Sequence, residues 1–337
     1  MYTSTTPVIN SKIRVGLVGI GYVARTRAKA LQSDKLARMA QIVVVWGHSP
    51  EETTTFAQEF NCTAIADWQE LVGREDIDLV IIATINRDHG VIAKAALVQY
   101  KHVIVEYPLA LNVSEAEEII HLAQAQNKLL HVEHIEILGG VHQVLKQYLP
   151  DIGRPFHTHY STIKPELPAP QKWSYHHKMF GFPLMAALSR VHRLVDLFGR
   201  VLTVNCHQQY WQADKETEYF QGCICVAQLE FVNGLLGQIT YGKGETLWQA
   251  ERRFTVHGEN GGIIIDKEKG VMINPREAIN FDIPSRRGLF AKDTTMVLEY
   301  LMYKIPLYIT PEKSLYTLKV ADAARRSAQT GLRVVVD

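Results

Sequence analysis

Gly19-Ile20-Gly21-Tyr22-Val23-Ala24 follows the apolar run 14–18 and opens a helical pattern. A strand that turns through two glycines directly into a helix constrains this chain more than any other feature, because it starts a parallel α/β sheet at the amino terminus. Gly19 suits the tight turn, Gly21 lets backbone approach a pyrophosphate, and Ala24 allows close helix–strand packing. The helix N-terminus adds amide donors and a positive dipole. A dinucleotide is therefore expected here, with Tyr22 and Val23 in the turn that meets it.

The alternation continues. Strand patterns at 13–18, 42–46, 79–82, 103–105 and 129–132 are separated by helical patterns at 23–31, 50–60, 68–72, 89–99 and 114–126. This predicts an α/β chain whose residues 1–134 form a doubly wound Rossmann domain. A helix over 137–149 leads out of it. Beyond Pro150, strands are expected at 156–163, 201–210, 223–231, 235–241, 253–257 and 262–266, with Asn233-Gly234 as a hairpin signal. Residues 135–337 thus read as an α+β domain with a large, mainly antiparallel sheet. Helices at 184–197, 292–303 and 312–328 cover it, the final one free to pack back on the Rossmann domain. The proline-rich, aromatic segment 164–177 reads as a long ordered loop near a site.

The second strand ends Val45-Trp46-Gly47-His48-Ser49, without the acid that an NAD-selective site places against the ribose 2′-hydroxyl. His48 and Ser49 are able to donate to a 2′-phosphate, so NADPH is favoured over NADH, although Ser49 beside Pro50 also has the makings of a helix cap. Lys+Arg 36 against Asp+Glu 35 leaves no field to steer nucleic acid. The 14 histidines are scattered without ligand spacing, and no metal is expected. No apolar run approaches the ~20 residues of a membrane span, and residues 1–12 lack the apolar centre of a signal peptide. The four cysteines, none in a C-x-x-C pair, read as free thiols of a cytoplasmic protein. Nothing in the sequence sets the oligomeric state.

Two segments carry a resemblance. Ala83-Thr84-Ile85-Asn86-Arg87-Asp88-His89, followed by His102-Val103-Ile104-Val105-Glu106-Tyr107-Pro108, resembles the glucose–fructose oxidoreductase/inositol dehydrogenase family. That family ends the second segment Glu-Lys-Pro, and its lysine serves the substrate hydroxyl. Its catalytic Asp and His would fall near Met185 and Ser189, where neither is present. The departures are similar to those of one branch, the biliverdin reductases. Glu106-Tyr107-Pro108, the run Leu130-His131-Val132-Glu133-His134-Ile135-Glu136, and Phe180-Gly181-Phe182-Pro183 with Leu188-Ser189-Arg190 look like blocks of that branch. Tyr241-Gly242-Lys243-Gly244-Glu245 and Ser285-Arg286-Arg287-Gly288-Leu289-Phe290 look like its cyanobacterial form.

The resemblance implies reduction of biliverdin to bilirubin: hydride to the central methine carbon, proton to a pyrrole nitrogen. Such a reaction has no hydroxyl to deprotonate, so a phenol in place of the lysine fits, and its ring packs well on a flat substrate. Arg190, Tyr107 and Glu106 form the expected catalytic set. Arg190 either clamps a propionate or delivers the proton, directly or through a water it holds, with a salt bridge to Asp196 or Glu106 as the structural alternative. Ala83, Thr84, Asn86, His89 and Glu106, after the fourth and fifth strands, are placed near the nicotinamide ribose. His134 is a candidate relay or a structural histidine. Lys172, Trp173, Tyr175 and Phe182 join Tyr107, His134 and Arg190 as expected substrate contacts. The rival readings are a sugar or cyclitol oxidoreductase of the parent family and a cofactor-binding regulator without catalysis.

Overall fold

Val15, Leu17, Val44, Val45, Ile81, Val103 and Ile104 are all fully buried, which is what strands covered on both faces require. In the computed structural model, which describes residues 6–212 and 217–337, they belong to a six-stranded parallel sheet. Its strands are β1 (Ile13–Val18), β2 (Ala40–Trp46), β3 (Thr63–Ala64), β4 (Leu79–Ile82), β5 (His102–Val105) and β6 (Leu130–Val132), in the order β3-β2-β1-β4-β5-β6. The crossovers are α1 (Tyr22–Leu31) with the short α2 (Asp34–Met39), α3 (Pro50–Phe60), α4 (Trp68–Gly73), α5 (His89–Val98) and α6 (Val113–Ala125). Residues 1–5 of the polar amino-terminal stretch lie outside the described residues.

The chain divides into two compact units, one of Met1–Ile135 with Gly288–Leu315, the other of Glu136–Arg287 with Tyr316–Asp337. The return of 288–315 to the first unit is something a single cut after residue 134 does not provide. Its physical basis is apolar. Val297, Leu298 and Leu301 pack into the same core as Leu17, Ala24, Ala28 and Leu31.

The second unit opens with α7 (Gly140–Tyr148) and carries a nine-stranded sheet. Its strands are β7 (Pro155–Pro165), β8 (Val201–Trp211), β9 (Gly222–Phe231), β10 (Leu236–Gly244), β11 (Glu251–Gly258), β12 (Gly261–Asp266), β13 (Lys269–Ile273), β14 (Ala278–Asp282) and β15 (Val334–Val335). The order is β14-β13-β12-β11-β7-β10-β9-β8-β15. Every pair is antiparallel except β7 with β10. The pattern expected over 184–197 is two helices, α9 (Pro183–Ala186) and α10 (Leu188–Phe198), after the single-turn α8 (His177–Phe180). Ala187 leaves helical geometry at φ −102°, ψ 35° and separates them. Two long helices, α11 (Leu289–Tyr303) and α12 (Pro311–Thr330), complete the chain. Among the described residues no helix is long and apolar enough to cross a membrane.

Candidate active site

The first unit presents its chemistry where β1, β2, β4 and β5 end, the edge at which doubly wound sheets take ligands. Gly19 has φ +113°, and a Cβ there would lie 2.3 Å from the Ala83 carbonyl oxygen, so only glycine makes this turn. Gly21 differs. A Cβ on it would meet nothing within 4 Å, so protein packing does not demand glycine, and the open space is what a pyrophosphate needs. Gly21 caps α1 without a side-chain bond, and the first turn holds no acid. Its amides and dipole are therefore left for an anion.

At the end of β2, His48 is exposed, with Nε2 3.8 Å from Asp88 Oδ2. Asp88 is itself matched by Arg87 at 2.9 Å. Ser49 is the cap of α3: its Oγ accepts from the Glu52 amide at 3.3 Å. Accepting that bond uses a lone pair and leaves the hydroxyl proton for a phosphate. Beyond β4, Ala83 and Thr84 lead into a 3₁₀ turn that buries Asn86. His89, expected near the nicotinamide ribose, lies behind this turn. It is fully buried between two carbonyls, with Nδ1 2.9 Å from Pro108 O and Nε2 3.2 Å from Thr84 O. Burial lowers its pKa while the two carbonyls favour the charged form; the ring packs behind the Thr84 loop and the Tyr107–Pro108 turn, and when neutral it donates to only one of the two carbonyls.

Glu106 follows β5 and is gripped by Arg27, whose Nε and Nη2 donate to Oε1 at 3.0 and 2.8 Å. Arg27 thereby fixes the Glu106 carboxylate from within the same unit. Arg27 is wholly buried and also donates to Asp293 Oδ2 at 2.7 Å. Burial works to lower its pKa, yet Glu106 and Asp293 hold it raised. Asp293 accepts from Tyr308 at 2.7 Å and faces His131 Nε2 at 2.7 Å. Against the cost of burial, His131 and Arg27 keep its carboxyl well below the usual range. Glu133 is the exception in this cluster. Burial first, then the neighbouring Glu106 and Asp293, push its carboxyl well up, and it shares a hydrogen bond with Glu106. Glu133 is thereby biased toward its protonated form.

Tyr107 is half-buried, precedes a cis proline, and lies on His134 with ring centroids 5.5 Å apart and planes 14° apart. His134 is completely buried, its Nε2 2.8 Å from Ser314 Oγ. It supports the Tyr107 ring from this buried position.

The second unit holds a cleft of about 310 Å³ lined by Glu136, Tyr160, Thr162, Lys164, Arg190, Tyr241, Glu251, Arg252, Lys267 and Arg286 among others. Five cations against two acids make it a site for anions. Arg190 sits in the first turn of α10. Its Nε donates to Thr162 Oγ1 at 3.3 Å and its Nη1 to Ser189 Oγ at 3.0 Å, with the guanidinium 5.5 Å from the Tyr241 ring centre. Asp196, the other salt-bridge partner considered for Arg190, is taken by His142 at 2.9 Å and Lys146 at 2.8 Å. Glu136 binds Arg193 Nη2 at 2.9 Å and also Arg286. Burial would raise its pKa, but these arginines, with Arg190 and Arg252, hold it lowered.

The loop after β7 is ordered by its own contacts. Glu166 accepts from Lys164 at 3.1 Å, Lys172 at 3.4 Å and the Tyr175 hydroxyl at 3.1 Å. Tyr175 is buried in a cluster with Phe180, Phe220 and Cys223, and Phe182 is buried as well. Lys243 is also buried there, donating to the Ser174 carbonyl and lying 3.4 Å from the Phe180 ring centre. Burial pulls its ammonium down to about 7, a pull the ring faces oppose. Tyr175 and Phe182 are thus core residues, Lys172 is paired with Glu166, and only Trp173 of that group keeps a ring partly open. Arg190 alone among the expected contacts of this unit lines the cleft. Arg252, Lys267, Arg286 and Tyr241 are the residues that sequence reasoning did not single out. Tyr241 and Arg286 lay inside resemblance blocks, whereas Arg252 and Lys267 are isolated strand and turn cations without a local signal.

A glycine turn feeding an uncapped helix, with a separate basic cleft on a mixed, mostly antiparallel sheet, defines a dinucleotide-dependent oxidoreductase. Residues 13–134 match the oxidoreductase family with NAD-binding Rossmann fold, and residues 149–336 match the C-terminal alpha/beta domain of the same family. The chain belongs to that family. It is similar to the biliverdin reductase of Synechocystis sp. PCC 6803, solved in complex with biliverdin and NADP+. The two are 48% identical with a TM-score of 0.91, over 94% of this chain and 99% of that one. Biliverdin reductase A of Mus musculus is 24% identical over 77% of this chain and 78% of its own length. The match to an uncharacterized oxidoreductase of Escherichia coli, YdgJ, is 29% identical but spans only 46% of that protein.

Proposed function

We propose that the protein reduces biliverdin IX-alpha to bilirubin with NADPH, placing a hydride on the central methine carbon and a proton on a neighbouring pyrrole nitrogen. When bound, NADPH supplies the hydride. Gly19, Gly21 and the first turn of α1, with Tyr22 and Val23, hold the pyrophosphate, while His48 and Ser49 donate to the 2′-phosphate. Ala83, Thr84, Asn86 and Glu106 border the nicotinamide ribose, and Arg27 fixes the Glu106 carboxylate. Tyr107 offers its ring to the flat tetrapyrrole. On the second unit, Arg190 and its neighbouring cations take propionate, and Arg190 holds the water that passes the proton.

The observation that carries this reading is Tyr107. A polyol oxidiser needs a base at that position, and here a neutral phenol is fixed on a buried imidazole. The likeness to the Synechocystis enzyme supports it over nearly the whole chain. We place the reaction in the cytoplasm, a compartment that suits four free cysteines. The test is direct: protein, NADPH and biliverdin are mixed, and the blue-green pigment should turn yellow as NADPH is consumed mole for mole. Unchanged biliverdin, together with NADP+-dependent oxidation of a cyclitol or sugar, would overturn the proposal.

A further inference from the structure

The second unit carries another cleft, of about 360 Å³, which shares Glu136, Arg252, Lys267 and Arg286 with the first but extends from them to the start of α7. Its wall includes the first turn of α7, the buried Arg193, and the segment Ile283–Arg286. We propose that it is an oxyanion site, taking a phosphate or a carboxylate.

Three independent features converge on that chemistry. Arg193 is 1% exposed. One of its nitrogens, Nη2, donates to Glu136 and the guanidinium lies 5.5 Å from the Tyr160 ring centre, but Nε and Nη1 are buried with no hydrogen-bond partner among the described residues. Unmet donors on a buried guanidinium are costly, and an anion in the cleft is the ligand that answers them. The helix end is the second feature. Gly139 caps α7 without a side chain and the first turn holds no acid, so the leading amides and the dipole are uncompensated. The third is charge: Arg193, Arg252, Lys267 and Arg286 face Glu136 and Glu268, and Glu136 is already divided between Arg193 and Arg286.

The shape follows from one glycine. A Cβ on Gly140 would lie 2.4 Å from the Pro284 carbonyl oxygen. The segment after Ile283 therefore lies flush against the start of α7 and brings the exposed Ser285 to the cleft. The occupant is either inorganic phosphate or a carboxylate arm of the substrate, since both present the same oxygens.

Inorganic phosphate is the probe, titrated calorimetrically into the protein saturated with NADP+, which occupies the glycine loop. Ser285→Asp adds a negative charge to this cleft and should weaken phosphate binding about tenfold. Glu268→Gln removes one and should tighten binding about threefold. Both positions are exposed and line this cleft without lining the other. No heat with the wild-type protein, or a dissociation constant that neither variant moves, would overturn the site. Displacement of phosphate by biliverdin but not by its dimethyl ester supports the carboxylate arm as occupant. Phosphate that stays bound beside biliverdin supports the free anion. The titration needs no turnover, so failure of the biliverdin assay leaves it informative.

Discussion

Tyr107 lies flat on the imidazole of His134, and that imidazole is anchored in turn on Ser314. The ring is thus positioned from beneath by packing. Tyr107→Phe should therefore keep NADPH affinity and retain reduced but measurable turnover. Complete inactivity in a folded variant would make the phenol an obligatory proton donor instead. Arg190 presents a different case. Lys164, Arg252, Lys267 and Arg286 line the same cleft and share any carboxylate load, so losing one guanidinium leaves much of the binding charge in place. The defect of Arg190→Gln should accordingly fall on kcat, about tenfold or more, with NADPH affinity unchanged. A raised KM for biliverdin with kcat preserved would reduce Arg190 to a propionate clamp. A solvent isotope effect on the wild-type kcat, lost in the variant, is the second readout, because only a proton-relay role places that transfer in the slow step.

At the level of elements, the loop after β2 serves the helix and the cofactor with one side chain. Ser49 caps α3 through its lone pair, and aspartate is an equally good cap. Ser49→Asp should fold normally yet weaken NADPH about tenfold or more by repelling the 2′-phosphate, with NADH affected far less. Equal loss for both cofactors in fluorescence titrations would show that this loop does not read the phosphate. The glycine turn and the crossovers were legible because each rests on a local pattern: the 50–60 helix, with proline at its first turn and serine before it, appears with those bounds. The loop over 164–177 is ordered by an equally local device. Its cations and aromatics look available to a ligand, but a single acid, Glu166, satisfies Lys164, Lys172 and Tyr175 together. The basic cleft was largely hidden because its residues come from β7, α10, β10, β11 and the turns after β12 and β14. No window of sequence contains that assembly. The β13–β14 hairpin and the parallel β7–β10 pair escaped for the same reason, since neighbour choice in a sheet is not written in any one strand.

For the molecule as a whole, the return of 288–315 to the first unit ties distant sequence to the cofactor half through one carboxylate. Asp293 meets Arg27 from α1, His131 from β6 and Tyr308 near its own helix, all in buried surroundings. Removing one charge from such a network leaves its partner buried and under-compensated, so Asp293→Asn should cost about 3 kcal/mol. The pH dependence gives the signature that a mere packing defect would lack. A carboxyl whose folded pKa is depressed contributes stability above its unfolded pKa of about 4 and loses it as pH falls. Wild-type protein should therefore lose urea resistance on acidification, and Asp293→Asn should lose less of it. Glu133 acts in the opposite sense, because its folded pKa is raised. Its contribution is complete below about pH 4 and declines as pH rises above that. Glu133→Gln imitates the protonated side chain and keeps a donor for Glu106, so it should match the wild type in acid and exceed it progressively toward alkaline pH. Urea midpoints for the wild type and both variants across the acid-to-alkaline range, with unchanged m-values, test the two signs together. Parallel pH profiles for all three proteins would remove Asp293 and Glu133 from the electrostatic account of the fold.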